Sequence, residues 1–181
     1  MWNFLKLLCF SLILFSGTAL AWKHSVSLGY GGSNEVGYDY QNYGWFLNAK
    51  FYRFKIDKTL FFTIDGSLGY WNATTDYNTD LTTVALSGAF RAYFFPPKDQ
   101  ILRPYLLLSF GPNYLSHKRF GEVEQGAHFS FQSALGVGSE FKIKKHDFDF
   151  NLRLLHYCNA GLASPNKGID IFFVFSLGYL F

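Results

Sequence analysis

The residues with the clearest chemical potential lie near the end of the chain, in His156-Tyr157-Cys158-Asn159-Ala160-Gly161. His156 and Cys158 are two apart. On an extended strand, residues at that spacing project to one face. The preceding segment alternates strictly from Asp147. Phe148, Phe150, Leu152 and Leu154 take one face, and Asp147, Asp149, Asn151 and Arg153 take the other. His156 and Cys158 continue the apolar face. An imidazole near a thiol can lower its pKa and accept its proton, giving a nucleophile–base pair suited to acyl transfer. The plainer alternative is an imidazole tolerated at an interface beside a thiol that acts as a small apolar filler.

The elements that must position this pair are strands. Period-two alternation recurs along the chain. Leu60, Phe62, Ile64 and Leu68 oppose Thr63, Asp65 and Ser67, and Phe129, Phe131, Leu135 and Val137 oppose Ser130, Gln132, Gly136 and Glu140. The pattern predicts eight strands, over 24–31, 43–54, 59–71, 82–95, 103–114, 128–142, 147–157 and 169–181. Each has room for the roughly 9–11 residues a tilted strand needs to cross a bilayer. Short connections (55–58, 96–102 and 143–146) alternate with longer polar ones (32–42, 72–81, 115–127 and 158–168). Short turns at one end and long loops at the other mark an outer-membrane barrel. The predicted fold class is all-β, an eight-stranded antiparallel transmembrane β-barrel of the bacterial outer membrane.

Composition separates this barrel from a water-soluble one with an apolar interior. Aromatic residues make up 21% of the chain and charged residues only 16%. Mean hydropathy is nevertheless only +0.05, which excludes a helical membrane protein. The last strand places Ile171, Phe173, Phe175, Leu177, Tyr179 and Phe181 on one face and ends in Phe. Trp45, Tyr70, Trp71, Tyr114 and Tyr157 are expected in an outer aromatic girdle, and Tyr52, Phe54, Phe94, Phe95 and Tyr179 in an inner one. Eight strands leave a lumen only wide enough for side chains. Asn48, Lys50, Asp65, Arg91, Gln132, Glu140 and Arg153 would fill it as a paired polar core, which argues against a pore.

Residues 1–21 read as a signal peptide and 22–181 as the barrel domain. Lys6 supplies the positive region, 7–15 the apolar run, and Ala19-Leu20-Ala21 the cleavage site. Removing this leader removes Cys9 and leaves Cys158 as a single thiol, so no internal disulfide can form. A net charge of +3 is too small to argue for nucleic acid. His24, His128 and His146 lack ligand spacing, so no metal site is expected.

The stretch 152–170 resembles the C-terminal motif of the lipid A 3-O-deacylase family (PagL-like acyloxyacyl hydrolases). That motif has the form H-x-S-N-A-G followed by P-N-x-G-I-E; here the chain reads HYCNAG and PNKGID. The leader, the strand count and the length agree with the family over the rest. The resemblance implies that His156 is the base, Cys158 stands where the family has its nucleophilic Ser, and Asp170 where it has its acidic Glu. It implies oxyanion donors in the Gly161 backbone N–H and the Asn166 side chain, with Asn159 beside them in the substrate-binding loop. The implied reaction removes the ester-linked acyl chain at the 3 position of lipid A, a lipopolysaccharide component of the outer leaflet.

Two departures shape the expectation. A Cys-His-Asp triad could run the same chemistry through a thioester, but Asp is one methylene shorter than Glu. Strict alternation also places Asp170 with Phe172 and Val174 on the lumen side, opposite His156. Only a bulge or the loop end could turn it back. The alternatives are a catalytically impaired relative and a small structural or adhesive barrel that binds through its loops. His117-Lys118-Arg119 in the third long loop suits either lipid phosphates or plain solvation. Whether the barrel forms a homodimer is left open by the sequence.

Overall fold

The computed structural model describes residues 24–97 and 100–181. The expected leader falls outside the described residues. Eight long strands close into an antiparallel barrel, β1 (Ser25–Asn34), β2 (Gln41–Lys55), β3 (Leu60–Ala73), β4 (Asp80–Tyr93), β5 (Leu102–Leu115), β8 (Phe129–Ile143), β9 (His146–Cys158) and β10 (Ile169–Leu180). Two further short strands, β6 (Arg119–Phe120) and β7 (Val123–Glu124), form a hairpin inside the long loop between β5 and β8. Each long strand pairs with its sequence neighbour in the barrel, and β1 closes on β10. The predicted strands lie within two or three residues of those observed.

The outward face is apolar. Leu28, Trp45, Leu86, Leu108, Leu135 and Leu177 are each more than half exposed. The inward face carries the charge, and all seven expected lumen residues are buried. Arg91 lies 3.2 Å from both Asp65 and Asp149. Glu140 receives Lys50 at 3.4 Å, Arg53 at 3.1 Å and the Tyr93 hydroxyl at 2.6 Å. Arg153 donates to Asn48 at 2.7 Å and to Asn151 at 2.8 Å. A barrel closed on itself leaves no unpaired strand edge, so such a surface can face hydrocarbon.

The structure corrects the sequence reading in four places. First, Trp71 and Tyr157 are not in the outer girdle: both are fully buried in the lumen. They belong to an apolar plug with Phe46, Leu81, Leu115, Leu155, Ile169, Ile171 and Val174, into which the hairpin inserts Phe120 and Val123. The lumen is therefore polar in one half and apolar below the outer loops. Second, Ile171 points inward, not to the outer face. Third, connection length does not alternate strictly. β1 and β2 run further outward than predicted, so 35–40 is shorter than 94–101 at the other end.

The fourth correction concerns Asp170. The β9–β10 ladder slips between Ile171 and Val174, where β10 carries one extra residue opposite Leu155 and Arg153. Phe173 in this bulge has φ +58°. An extra residue reverses the alternation of everything beyond it. Asp170 consequently lies directly opposite His156 on the outward face, while Ile169 and Ile171 turn into the plug.

Candidate active site

His156 and Cys158 close the outer end of β9, with the inward residues Leu155 and Tyr157 each preceding one of them. On β10, Ile169 and Ile171 flank Asp170 in the same way. Burial of an aliphatic side chain contributes roughly 1.5–3 kcal/mol. These four buried neighbours fix which way His156 and Asp170 point.

The His156 Nδ1 lies 2.7 Å from the Asp170 Oδ1. A carboxylate only accepts, so Nδ1 carries the proton and Nε2 is left as the basic nitrogen. The shorter acid reaches the ring because of the ladder geometry. The Asp170 N–H donates to the Glu35 Oε1 at 3.2 Å, and its C=O accepts from the Asn42 Nδ2 at 2.8 Å. Both backbone groups thus point away from β9. Asp170 and His156 form a non-hydrogen-bonded pair, the kind whose Cα atoms approach to about 4.5 Å.

Gly168 lies against the Cε1 edge of the ring, next to the Nδ1 that bonds Asp170. A Cβ there would overlap the His156 Cε1 and stand 3.1 Å from Nδ1. The imidazole is bounded by a carboxylate at Nδ1 and a bare backbone at Cε1, with its side chain 43% exposed and that of Asp170 20% exposed. Cys158 is half-buried and unpaired. Among the described residues, the side-chain hydrogen bond of His156 runs to Asp170 and none joins it to Cys158.

The loop after Cys158 is organised by Asn159, which is fully buried. Its Nδ2 donates to the carbonyls of Ala163 at 2.9 Å and Pro165 at 3.2 Å, and its N–H donates to the Asn166 Oδ1 at 2.9 Å. The Gly161 N–H, expected to be an oxyanion donor, is used inside the loop: it donates to the Asn159 Oδ1 at 3.0 Å. Asn166 is exposed, and with its Oδ1 engaged, the Nδ2 is its donor toward the outside. The buried Gln125 ties this loop to the β6–β7 hairpin through the Lys167 carbonyl. Arg119 is occupied structurally, 4.5 Å above the Tyr77 ring and bonded to the Gly121 carbonyl.

Sequence reasoning named His156, Cys158, Asp170, Gly161, Asn166 and Asn159 but missed Gly168, Glu35, Asn42 and Ser33. Gly168 stood in the quoted motif and could have been found there. The other three lie far away in sequence, with no local pattern to mark them.

A family model described as lipid A 3-O-deacylase (PagL) matches residues 17–179. The chain belongs to that family. Lipid A deacylase PagL of Pseudomonas aeruginosa (strain PAO1) is 29% identical over 123 residues, which span 66% of this chain and 69% of that protein. The crystal structure of the outer membrane enzyme PagL matches with a TM-score of 0.58 at 21% identity, over 87% of this chain and 97% of that one. Neisserial surface protein A matches with a TM-score of 0.55 at 14% identity, over 88% and 96%. These structural likenesses show a shared fold. Membership of the PagL family and the outer-membrane barrels that match it place the chain in the outer membrane.

Proposed function

We propose that this protein is an outer-membrane esterase that removes the 3-position acyl chain of lipid A, with Cys158, His156 and Asp170 in the roles of nucleophile, base and acid. The observation that carries this reading is the His156–Asp170 hydrogen bond, 2.7 Å long, on the outward face shared with Cys158. The pair stands at the outer end of β9, where an acyl ester of an outer-leaflet lipid would lie.

The His156 Nε2 takes the Cys158 proton as Sγ attacks the ester carbonyl. Asp170 stabilises the imidazolium that forms. The Asn166 Nδ2 donates to the oxyanion; the Gly161 N–H joins it once it leaves the Asn159 Oδ1. Collapse breaks the ester bond, and His156 returns the proton to the departing sugar hydroxyl. The resulting thioester on Cys158 is hydrolysed by a water that His156 deprotonates. A free fatty acid leaves and the thiol is restored. The residues themselves supply every proton transfer.

Lipid A from cells expressing the protein should lose one 3-linked hydroxyacyl chain, read by mass spectrometry. His156→Ala should restore the full profile. A lipid A profile unchanged by a properly folded wild-type barrel would rule the reading out.

A further inference from the structure

The β1–β10 ladder ends early. Its last pair is Tyr30 with Phe175, although β1 continues to Asn34 and β10 begins at Ile169. Beyond that pair, side chains take the place of the missing ladder. The Ser33 Oγ accepts from the Phe172 N–H at 3.1 Å, inside the bulge, and lies 3.4 Å from the Asp170 carbonyl. The Asn42 Nδ2 donates to the same carbonyl and to the Glu35 Oε2, at 2.8 and 2.6 Å. Glu35 completes the ring by accepting from the Asp170 N–H at 3.2 Å.

Glu35 is only 3% exposed. It sits in the first outer loop, where its own N–H bonds to the Tyr40 carbonyl and its C=O accepts from the Tyr38 N–H. A carboxylate is costly to bury without paired donors. Its two side-chain partners hold or are the residue that faces His156. We propose that Glu35 is a positioning residue of the hydrolytic site: with Asn42 it clamps the Asp170 main chain so that the Asp170 carboxylate stays against His156. This rests on the deacylase reading of the same site. The clamp acts on backbone atoms, so it sets where a short acid stands, and it does not touch the substrate.

The direct test is the His156 Nδ1 proton in nitrogen-15 histidine-labelled barrel, observed by NMR in detergent micelles. The hydrogen-bonded resonance should be present in wild type and absent in Asp170→Ala, which has no acceptor left for it. Glu35→Ala should lose it too. Glu35→Gln should weaken it less than Glu35→Ala, because the amide oxygen still accepts from the Asp170 N–H although the amide nitrogen cannot accept from the Asn42 Nδ2. A resonance unaltered in Glu35→Ala would overturn the proposal. Kinetics give a second measure: Glu35→Ala should lower kcat about tenfold with KM little changed, and should add no further loss in an Asp170→Ala background. Independent, additive losses would overturn it as well. A wild-type barrel that leaves lipid A intact would defeat the deacylase reading, while the resonance would still decide the role of Glu35.

Discussion

Gly168→Ala should inactivate the site without harming the fold. Gly168 does not adopt a left-handed conformation, so its backbone accepts alanine. The new methyl would overlap the His156 Cε1. Ordinary carbon contacts are about 3.5–4 Å, so the ring must retreat by about 1 Å. That retreat lengthens the 2.7 Å bond to Asp170 and misaims Nε2. A displacement near 1 Å can cost about 100-fold in rate, equivalent to about 2.7 kcal/mol of barrier. Stability should hold or rise by a few tenths of a kcal/mol, because alanine restricts the unfolded chain. The assay is the rate of fatty acid release from purified lipid A in mixed micelles, beside a urea unfolding curve. Gly161→Ala is the contrasting variant. Its φ of +79° strains any L residue, but a Cβ there meets nothing within 4 Å, so its cost is conformational, about 1–2 kcal/mol of loop strain. Activity of Gly168→Ala within threefold of wild type would show that the His156 position does not limit the chemistry.

Two other perturbations separate the lumen and the outer clamp from the reaction. Arg91→Leu strands Asp65 and Asp149 without their shared cation. It should cost about 3–5 kcal/mol of unfolding free energy, with deacylation by the surviving folded fraction unchanged; a loss below about 1 kcal/mol would contradict the ion-pair account of the lumen. Burial, with the nearby Asp170 charge, pushes the Glu35 carboxyl from its ordinary 4.5 up to about 7. The other titratable group facing it is Tyr40, itself pushed up by burial. Between those two pH values the folded protein keeps a proton that the unfolded chain has released. The Glu35 contribution to stability is therefore fully present below about pH 4.5, is lost as pH rises to about 7, by up to about 3 kcal/mol, and is level above. Unfolding curves at pH 5 and pH 8 should differ in wild type and converge in Glu35→Gln; equal differences in both proteins would contradict this.

Most of the barrel was legible because a period-two pattern is written in residue types. Phe148, Phe150 and Leu152 declare their face, and Asp149 and Arg153 declare theirs. The bulge in β10 was not legible. Its residues Ile171, Phe172, Phe173 and Val174 are all large and apolar, so an extra residue among them leaves no break in polarity. That one residue decides the face of Asp170, and with it whether His156 has an acid. Trp71 and Tyr157 were misplaced for a related reason. An aromatic ring suits a girdle and an apolar plug equally, and only register tells them apart. The β6–β7 hairpin is too short to show periodicity. Nothing in the sequence sets Glu35 apart from other loop carboxylates, since its burial depends on a strand 135 residues away along the chain. Gly168 was visible as a motif position, but its purpose needs the ring that lies against it.

The central claim is that Cys158 accepts the acyl chain while His156, held by Asp170, moves its proton. Intact-protein mass spectrometry of the barrel quenched in acid during turnover tests this most directly. A hydroxylamine-labile adduct with the mass of the released hydroxyacyl chain should map to the peptide containing Cys158. It should vanish in Cys158→Ala together with fatty acid release, and Cys158→Ser should carry it as a hydroxylamine-resistant ester. Undiminished fatty acid release by Cys158→Ala would contradict the account.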